Sequence, residues 1–435
     1  MPSTPREEPM TVHALQTRTA AETTLAEQFA AGQGALPALD REAAFRLFAA
    51  KGLPTRRDEA WHYTDLRALY ASAAPLAPAP DAAAIAAARG ALASRGGAVR
   101  LAILDGRYIA ELSDSPPGGV TVSPLTGAGR QVGAELDAVL ALNGALALGG
   151  CVVVVAPGAQ PAERIEIVHL RSAGAGASVN SRVILDLGAG ARARIVESFV
   201  GGQAGDQRNA ATFIDLADGA RLDHAAIVDD SAGLHLESQV ARLGEASELA
   251  AFAFVSGGAL VRRQIFATLS GPRADVALAG LSLIDGRRHA DTTLVVDHVA
   301  PHGRSREFYK HIVAGEATGV YQGKVVVRPG AQKTDGGMKS QAILLSPTAI
   351  MDNKPELEIF ADDVVCGHGA TVGALDPEQL FYLGARGLPG AEAEAMLLEA
   401  FGADAIARVA DEDLAERLRA TLRAWLSARA EGRRS

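Results

Sequence analysis

Two residues in the stretch DDVVCGHGATVG (362–373) have the types and spacing for metal chemistry, Cys366 and His368. A thiolate and an imidazole are both ligands for iron and zinc. On a strand, positions i and i+2 project from the same face, so the sulfur and a ring nitrogen can share one metal ion or one cluster edge. Gly367 and Gly369 carry no side chain, which lets another backbone or a ligand come close. Glu356 and Glu358, in the preceding run, are candidate oxygen ligands or proton acceptors. A buried thiol beside a hydrogen-bonded histidine at a tight turn is the competing reading. Two ligands leave a four-coordinate site half filled, so a metal held here implies further ligands from a second chain.

The rest of the chain offers no self-contained catalytic engine. GVYQGKVVV (319–327) has the wrong glycine spacing for a phosphate-binding loop, and Val325 stands where Ser or Thr is needed. GAGAGAS (172–178) precedes no helical pattern, which removes a dinucleotide site. H-E-x-x-H, C-x-x-C and G-x-S-x-G do not occur. Cys151, opening a valine run, reads as a small buried apolar residue. Asp291, Asp297, Asp362 and Asp363 have the chemistry for acid–base work, but their spacing does not bring them together. His169, His224 and His235 stand singly on β-type runs as ordinary polar positions. His289, His298, His302 and His311 are denser; alternation along solvent-wetted strands is expected there, with a partner interface as the functional reading. The short basic pairs Arg262-Arg263 and Arg287-Arg288 are expected on a solvated surface.

The elements that must position these residues fall into three regions. Residues 1–95 read as helical with a linker: Asp40 is a candidate N-cap for a helix ending near Gly52 and Pro54, and an alanine-rich stretch with prolines (71–94) follows. Residues 96–375 are a series of short β-type runs separated by Gly-containing turns such as LGAGAR, LADGAR and VRPGAQ. A sandwich and a β-solenoid both fit; the repeated Gly-Ala turn and the number of runs favour the solenoid. Residues 376–435 are helical, with Asp376 at an N-cap, Pro377 at the first helical position and Gly387 as a stop. In the last helix Leu414, Leu418, Leu422 and Trp425 form one stripe, which either packs within its own domain or docks another protein.

The 435 residues carry a net charge of −9, so no electrostatic footprint for nucleic acid is present. Two cysteines cannot form a disulfide framework. The amino terminus lacks an apolar leader core, and the apolar run CVVVVAP is too short to span a bilayer. A cytoplasmic location without a membrane span is expected.

DDVVCGHGATVGALD followed by FYLGARGLPGAEAEAMLLEAF resembles the carboxy-terminal signature of the SufB/SufD family of iron–sulfur cluster assembly proteins. PTRRDEAWHYTDL (54–66), YQGKVVVRPGAQKTDGGMKSQAILLS and PELEIFADDV are similar to its other segments. The resemblance covers most of residues 54–410, and two cysteines fit the SufD branch better than the SufB branch. It implies a mainly β fold with helical flanks, a right-handed parallel β-helix core between an N-terminal and a C-terminal helical domain. It implies a non-catalytic scaffold that pairs its β-helix with a SufB-like sister and docks a SufC-like ATPase through its C-terminal helices. Tyr382, Arg386 and Gly387, in the helical signature, are then candidate partner-binding residues, and sulfur donor proteins act indirectly. No cofactor is expected on the isolated chain, which can pair with itself; a nascent iron–sulfur cluster would form in the complex with SufB near Cys366 and His368. The alternative is a β-helix acyltransferase-like enzyme using His368 as base, since GHGATVGA looks like a single hexapeptide-repeat turn.

Overall fold

The computed structural model describes residues 18–32, 38–93, 98–125, 136–229 and 232–432. The amino-terminal stretch 1–17, expected not to be a leader, lies outside the described residues.

Sixteen strands, from Gly149–Val155 to Val365–Gly373, alternate between two sheets, eight in each, and every pairing among them is parallel. The chain is therefore a parallel β-solenoid, mainly β with helices at both ends, as the sequence predicts. Side chains of alternate residues fill the lumen. Leu187, Leu216, Leu243 and Leu269 stack in register from coil to coil, and His298 and Val327 continue the same column. The strand turns are stacked too. Gly190, Gly219, Ala246, Arg273, His302 and Lys333 each take a positive φ and each donate a backbone hydrogen bond to the turn of the following coil. Glycine adopts that conformation freely, whereas other L-residues lose about 1–2 kcal/mol in it. The coil-to-coil hydrogen bond holds them there.

The two ends of the solenoid differ. At the first end each sheet finishes in a short antiparallel strand, Arg107–Tyr108 or Val120–Pro124. Short antiparallel strands blunt an edge against further pairing. At the other end the sheets finish in the full-length strands Ile350–Ile359 and Val365–Gly373, each paired among the described residues with a strand on one side only.

Helices cover the outer faces. Ala20–Ala30, Ala38–Lys51 and Ala138–Leu146 pack with Trp61 into one apolar cluster that reaches Leu236 and Leu260 on one sheet. Thr19 and Glu22 form a reciprocal capping box at the first helix. Asp40 lies inside the first turn of its helix, because that helix begins at Ala38 and not after Asp40. The alanine-rich stretch contains the helix Ala82–Ala93, anchored by Ala88 and Leu92 against Val168 and Leu170. On the other sheet, Leu414, Leu418 and Leu422 of the helix Glu412–Gly432 pack with Leu398 against Phe252, Phe254, Leu281 and Ile312. At roughly 1.5–3 kcal/mol for each fully buried leucine, that stripe is committed to the solenoid wall and is not free for a partner.

Candidate functional site

Cys366 and His368 lie on Val365–Gly373, the last strand of its sheet, aligned with Gly336 and Met338 of the preceding coil. Met338 belongs to the lumen core, so these aligned positions face the lumen at its open end. Cys366 is half-buried against that core, whereas His368 is exposed. Burial pushes the Cys366 thiol up, the nearby Asp335 and Glu307 carboxylates add to this, and a backbone hydrogen bond at Gly336 opposes it. The thiol is therefore not activated by its own chain. A bound metal ion supplies the positive charge that deprotonates such a group.

The surroundings are open and mix exposed apolar with charged side chains. Val365 is 73% exposed, Phe360 57% and Ile350 51%, along two strands whose outer hydrogen-bonding edges have no neighbour within the described residues. An unpaired backbone edge is a template for pairing with another chain, and here Val365–Gly373 carries no charged side chain whereas Ile350–Ile359 is interrupted by Lys354, Pro355 and Glu356. Glu356 and Glu358 do not join Cys366. Leu357 between them turns inward to the core, so both carboxylates point outward, where Glu356 pairs with Lys354 (3.3 Å) and Glu358 with Lys324 (2.5 Å). Among the described residues no three His, Cys, Asp or Glu side chains converge on one point as a metal-binding group.

The other candidates are dispersed. Asp291 is buried in an ion pair with Arg262, Asp297 holds Arg328 at 2.9 Å, and Asp363 pairs with Lys333. Arg262 and Arg263 are fully buried, contrary to the solvated surface expected for them. Arg262 sits beneath the Trp61 element, and Arg263 makes two hydrogen bonds to Glu237 in the lumen (2.9 and 2.7 Å). Arg287 is exposed as expected. His298 and His311 are also buried instead of wetted, and His289 is hydrogen-bonded to Thr64 at 2.9 Å. His169 and His224 share one carboxylate, Glu197, at 2.9 and 3.0 Å. Burial would raise Glu197, but the two imidazole hydrogen bonds outweigh it and hold the carboxyl well below the usual range. Cys151 is wholly buried in the lumen core.

Sequence reasoning missed the inner carboxylates Glu197, Glu237 and Glu307. Glu307 is buried, and burial pushes its pKa up to about 8, opposed by the neighbouring Ser305 hydroxyl, its own backbone amide and the Arg306 charge. The run Ser305, Glu307, Tyr309, His311 puts polar groups on one face of its strand, but the other face carries Arg304, Arg306 and Lys310 beside Phe308 and Ile312, so periodicity did not mark which face is inner.

Tyr382 lies on the helix Pro377–Gly384, which Asp376 caps through the Glu378 amide and in which no residue is buried. Arg386 stacks 3.5 Å from the Tyr382 ring centroid, and Gly387 takes φ +87°, which lets its amide close the helix on Gly384. Phe381 is 79% and Tyr382 56% exposed, so this helix presents two aromatic side chains to solvent. GHGATVGA occupies one strand of a two-sheet coil and not a run of short hexad turns. No helix among the described residues is long and apolar enough to cross a membrane.

Residues 169–401 match the family model described as "SUF system FeS cluster assembly, SufBD core domain". The chain is 33% identical over 383 residues to iron–sulfur cluster assembly protein SufD of Escherichia coli (strain K12), covering 85% of this chain and 89% of that protein. An iron–sulfur cluster assembly SufBD family protein of Synechocystis is 27% identical over 87% of this chain and 89% of its own length. Protein ABCI7, chloroplastic, of Arabidopsis thaliana is 31% identical over 55% and 51%.

Proposed function

The chain belongs to the SufBD family of iron–sulfur cluster assembly proteins, and from that premise we propose that it is the SufD-type scaffold subunit of a SufB–SufC–SufD-type complex. The carrying observation is the open end: two full-length strands, each with one outer edge unpaired among the described residues, with Val365 exposed on one, Phe360 exposed just beyond the other, and a thiol and an imidazole able to supply half of a four-coordinate ligand set. A sister SufB β-helix completes both the sheets and the ligand set. The nascent cluster is cargo at that junction, held by Cys366 and His368 with further ligands from SufB, and the isolated chain holds none.

The units 1–95, 96–375 and 376–435 divide the work. The second carries the junction. The third docks the SufC ATPase through the exposed Pro377–Gly384 helix, with Tyr382, Arg386 and Gly387 at the contact. Nucleotide chemistry then belongs to SufC, and this chain catalyses nothing by itself. The assembly works in the cytoplasm and receives sulfur indirectly, from donor proteins. In the absence of SufB the same edges pair two copies of this chain.

The test is anaerobic co-expression with the cognate SufB and SufC, followed by iron and acid-labile sulfide analysis of the purified complex. A His368→Ala complex is expected to assemble intact and lose iron and sulfide. Unchanged iron and sulfide would make the Cys366–His368 element structural.

A further inference from the structure

The turn 408–411, between the helices Gly390–Ile406 and Glu412–Gly432, stands off the solenoid wall and leaves a cleft of about 140 Å³ beneath it. The floor is the outer face of one sheet. Ala250 and Ala277 are aligned there on neighbouring strands, with Asp223 beyond one and Arg306 beyond the other. Elsewhere this face is filled, because Phe254, Leu281 and Ile312 join one apolar cluster with Leu398 and Leu422 of the helices. At Ala250 and Ala277 only methyl groups rise toward the turn. Ala277 is exposed and Ala250 half-buried, so solvent reaches the floor. Phe252 and Leu414, both buried, add apolar wall.

Four arginines line the cleft against two aspartates, Asp223 and Asp411. Arg164 and Arg194 share Asp411, at 2.7 and 3.3 Å. Arg306 is held by Asp335 at 2.6 Å, and Asp223 pairs with Arg221 at 3.6 Å. Arg408 is exposed and has no acidic partner among the described residues; its guanidinium lies 4.5 Å from the centroid of the Phe308 ring. The buried Nε of Arg164 also lacks a hydrogen-bond partner among them, but the charge of that side chain is met by Asp411. The cleft therefore combines an apolar floor with one surplus guanidinium at its rim, beside an aromatic ring.

We propose that this cleft binds a small monocarboxylate, its apolar body on Ala250 and Ala277 and its carboxylate received by Arg408. The volume sets the size, since a cavity of about 150 Å³ holds a guest of benzene size, roughly six carbon atoms. The arginine sets the charge, because a guanidinium presents a planar fork that matches a carboxylate through two parallel hydrogen bonds. A neutral guest leaves that fork unused, and inorganic phosphate has no apolar body to set on the alanine floor. Apolar walls with a few placed polar groups are the ordinary make-up of a small-ligand site. The ligand bridges the 408–411 turn and the wall, and its binding does not depend on the scaffold reading.

The experiment titrates the isolated full chain into 4-fluorobenzoate and reads the fluorine line width by nuclear magnetic resonance. Saturable broadening is expected, with a dissociation constant of about 1 mM or below for so small a probe, and with reversal by unlabelled hexanoate but not by inorganic phosphate. Arg408→Gln should weaken binding by about tenfold or more, the worth of a charged hydrogen-bond partner. Ala277→Leu fills the floor and should abolish binding; because Ala277 is exposed, thermal unfolding of this variant should match wild type and show that it is folded. Absence of saturable binding means that water alone fills the cleft, and the proposal falls. It falls equally if Ala277→Leu binds as wild type does, or if neutral 4-fluorobenzamide binds as tightly as the acid.

Discussion

The guanidinium of Arg262 lies 3.8 Å from the centroid of the Trp61 ring while it forms a buried ion pair with Asp291. One side chain thus ties the amino-terminal element to the solenoid wall, helped by Thr64, whose hydroxyl donates to Asp291, and by the Ala60 carbonyl, which accepts from Arg262 at 2.7 Å.

Asp291→Ala leaves Arg262 buried without its counter-charge. Breaking a buried pair from one side costs about 3–5 kcal/mol, so a loss of that size is expected in urea unfolding followed by tryptophan fluorescence. Arg262→Met, which removes the surviving charge and keeps much of the stacking volume, should recover part of it in the Asp291→Ala background.

His298 interrupts the column of stacked leucines, and burial pushes its pKa down to about 4. His311 is pushed down to about 3 for the same reason. Both imidazoles take up a proton more readily in the unfolded chain than in the fold. The stability they permit is therefore complete above about pH 6.5 and is lost as pH falls below it, by up to roughly 1.4 kcal/mol per pH unit for each group. Unfolding midpoints should drop between pH 7 and 5. His298→Leu, which restores the column, should raise the midpoint more at pH 5 than at pH 7.

Gly280 and Gly367 make opposite predictions. A Cβ at Gly280 would meet the Tyr309 ring at 2.6 Å, whereas one at Gly367 has nothing within 4 Å. Gly280→Ala is expected to cost about 1–3 kcal/mol through overpacking. Gly367→Ala should stay within about 0.5 kcal/mol of wild type, as surface substitutions do. Equal melting temperatures for the two variants would contradict this.

The exposed helix gives an assembly test. Tyr382→Asp places a charge on the aromatic face and removes the ring on which Arg386 stacks. Because no residue of this helix is buried, the thermal stability of the chain should be unchanged while co-purification of the SufC-like ATPase falls sharply. Retained co-purification would move the docking surface elsewhere.

Local signals were legible in the chain itself. The Asp376-Pro377 start of a helix is one, and the Gly-containing turns that take positive φ at Gly190 and Gly219 are another. So was the placement of Cys366 and His368 on one strand face. The burial of Arg262, Arg263, His298 and His311 was not. A two-residue period says that a strand has two faces, but in this solenoid one face fills the lumen and the other lies under helices. Polar residues are then buried on both: Arg262 and Arg263 where a neighbouring coil supplies Asp291 and Glu237, and His298 and His311 as rings with no hydrogen-bond partner among the described residues. Those counterparts lie a full coil away, and spacing along one strand carries no trace of them. Glu356 and Glu358 were misplaced for a related reason, since their run belongs to the opposite sheet and turns them away from the thiol.

Every inner coil of the solenoid is held from two sides, but the coil that carries Cys366 and His368 is held from one. It is the place where the backbone can fray at least cost. A subunit that adds its own strands there does more than cover a surface, because it provides the missing neighbour and finishes the fold. Under the proposed pairing, assembly and the last step of folding are the same event, and Cys366 and His368 would be set rigidly in place only when the second chain has arrived.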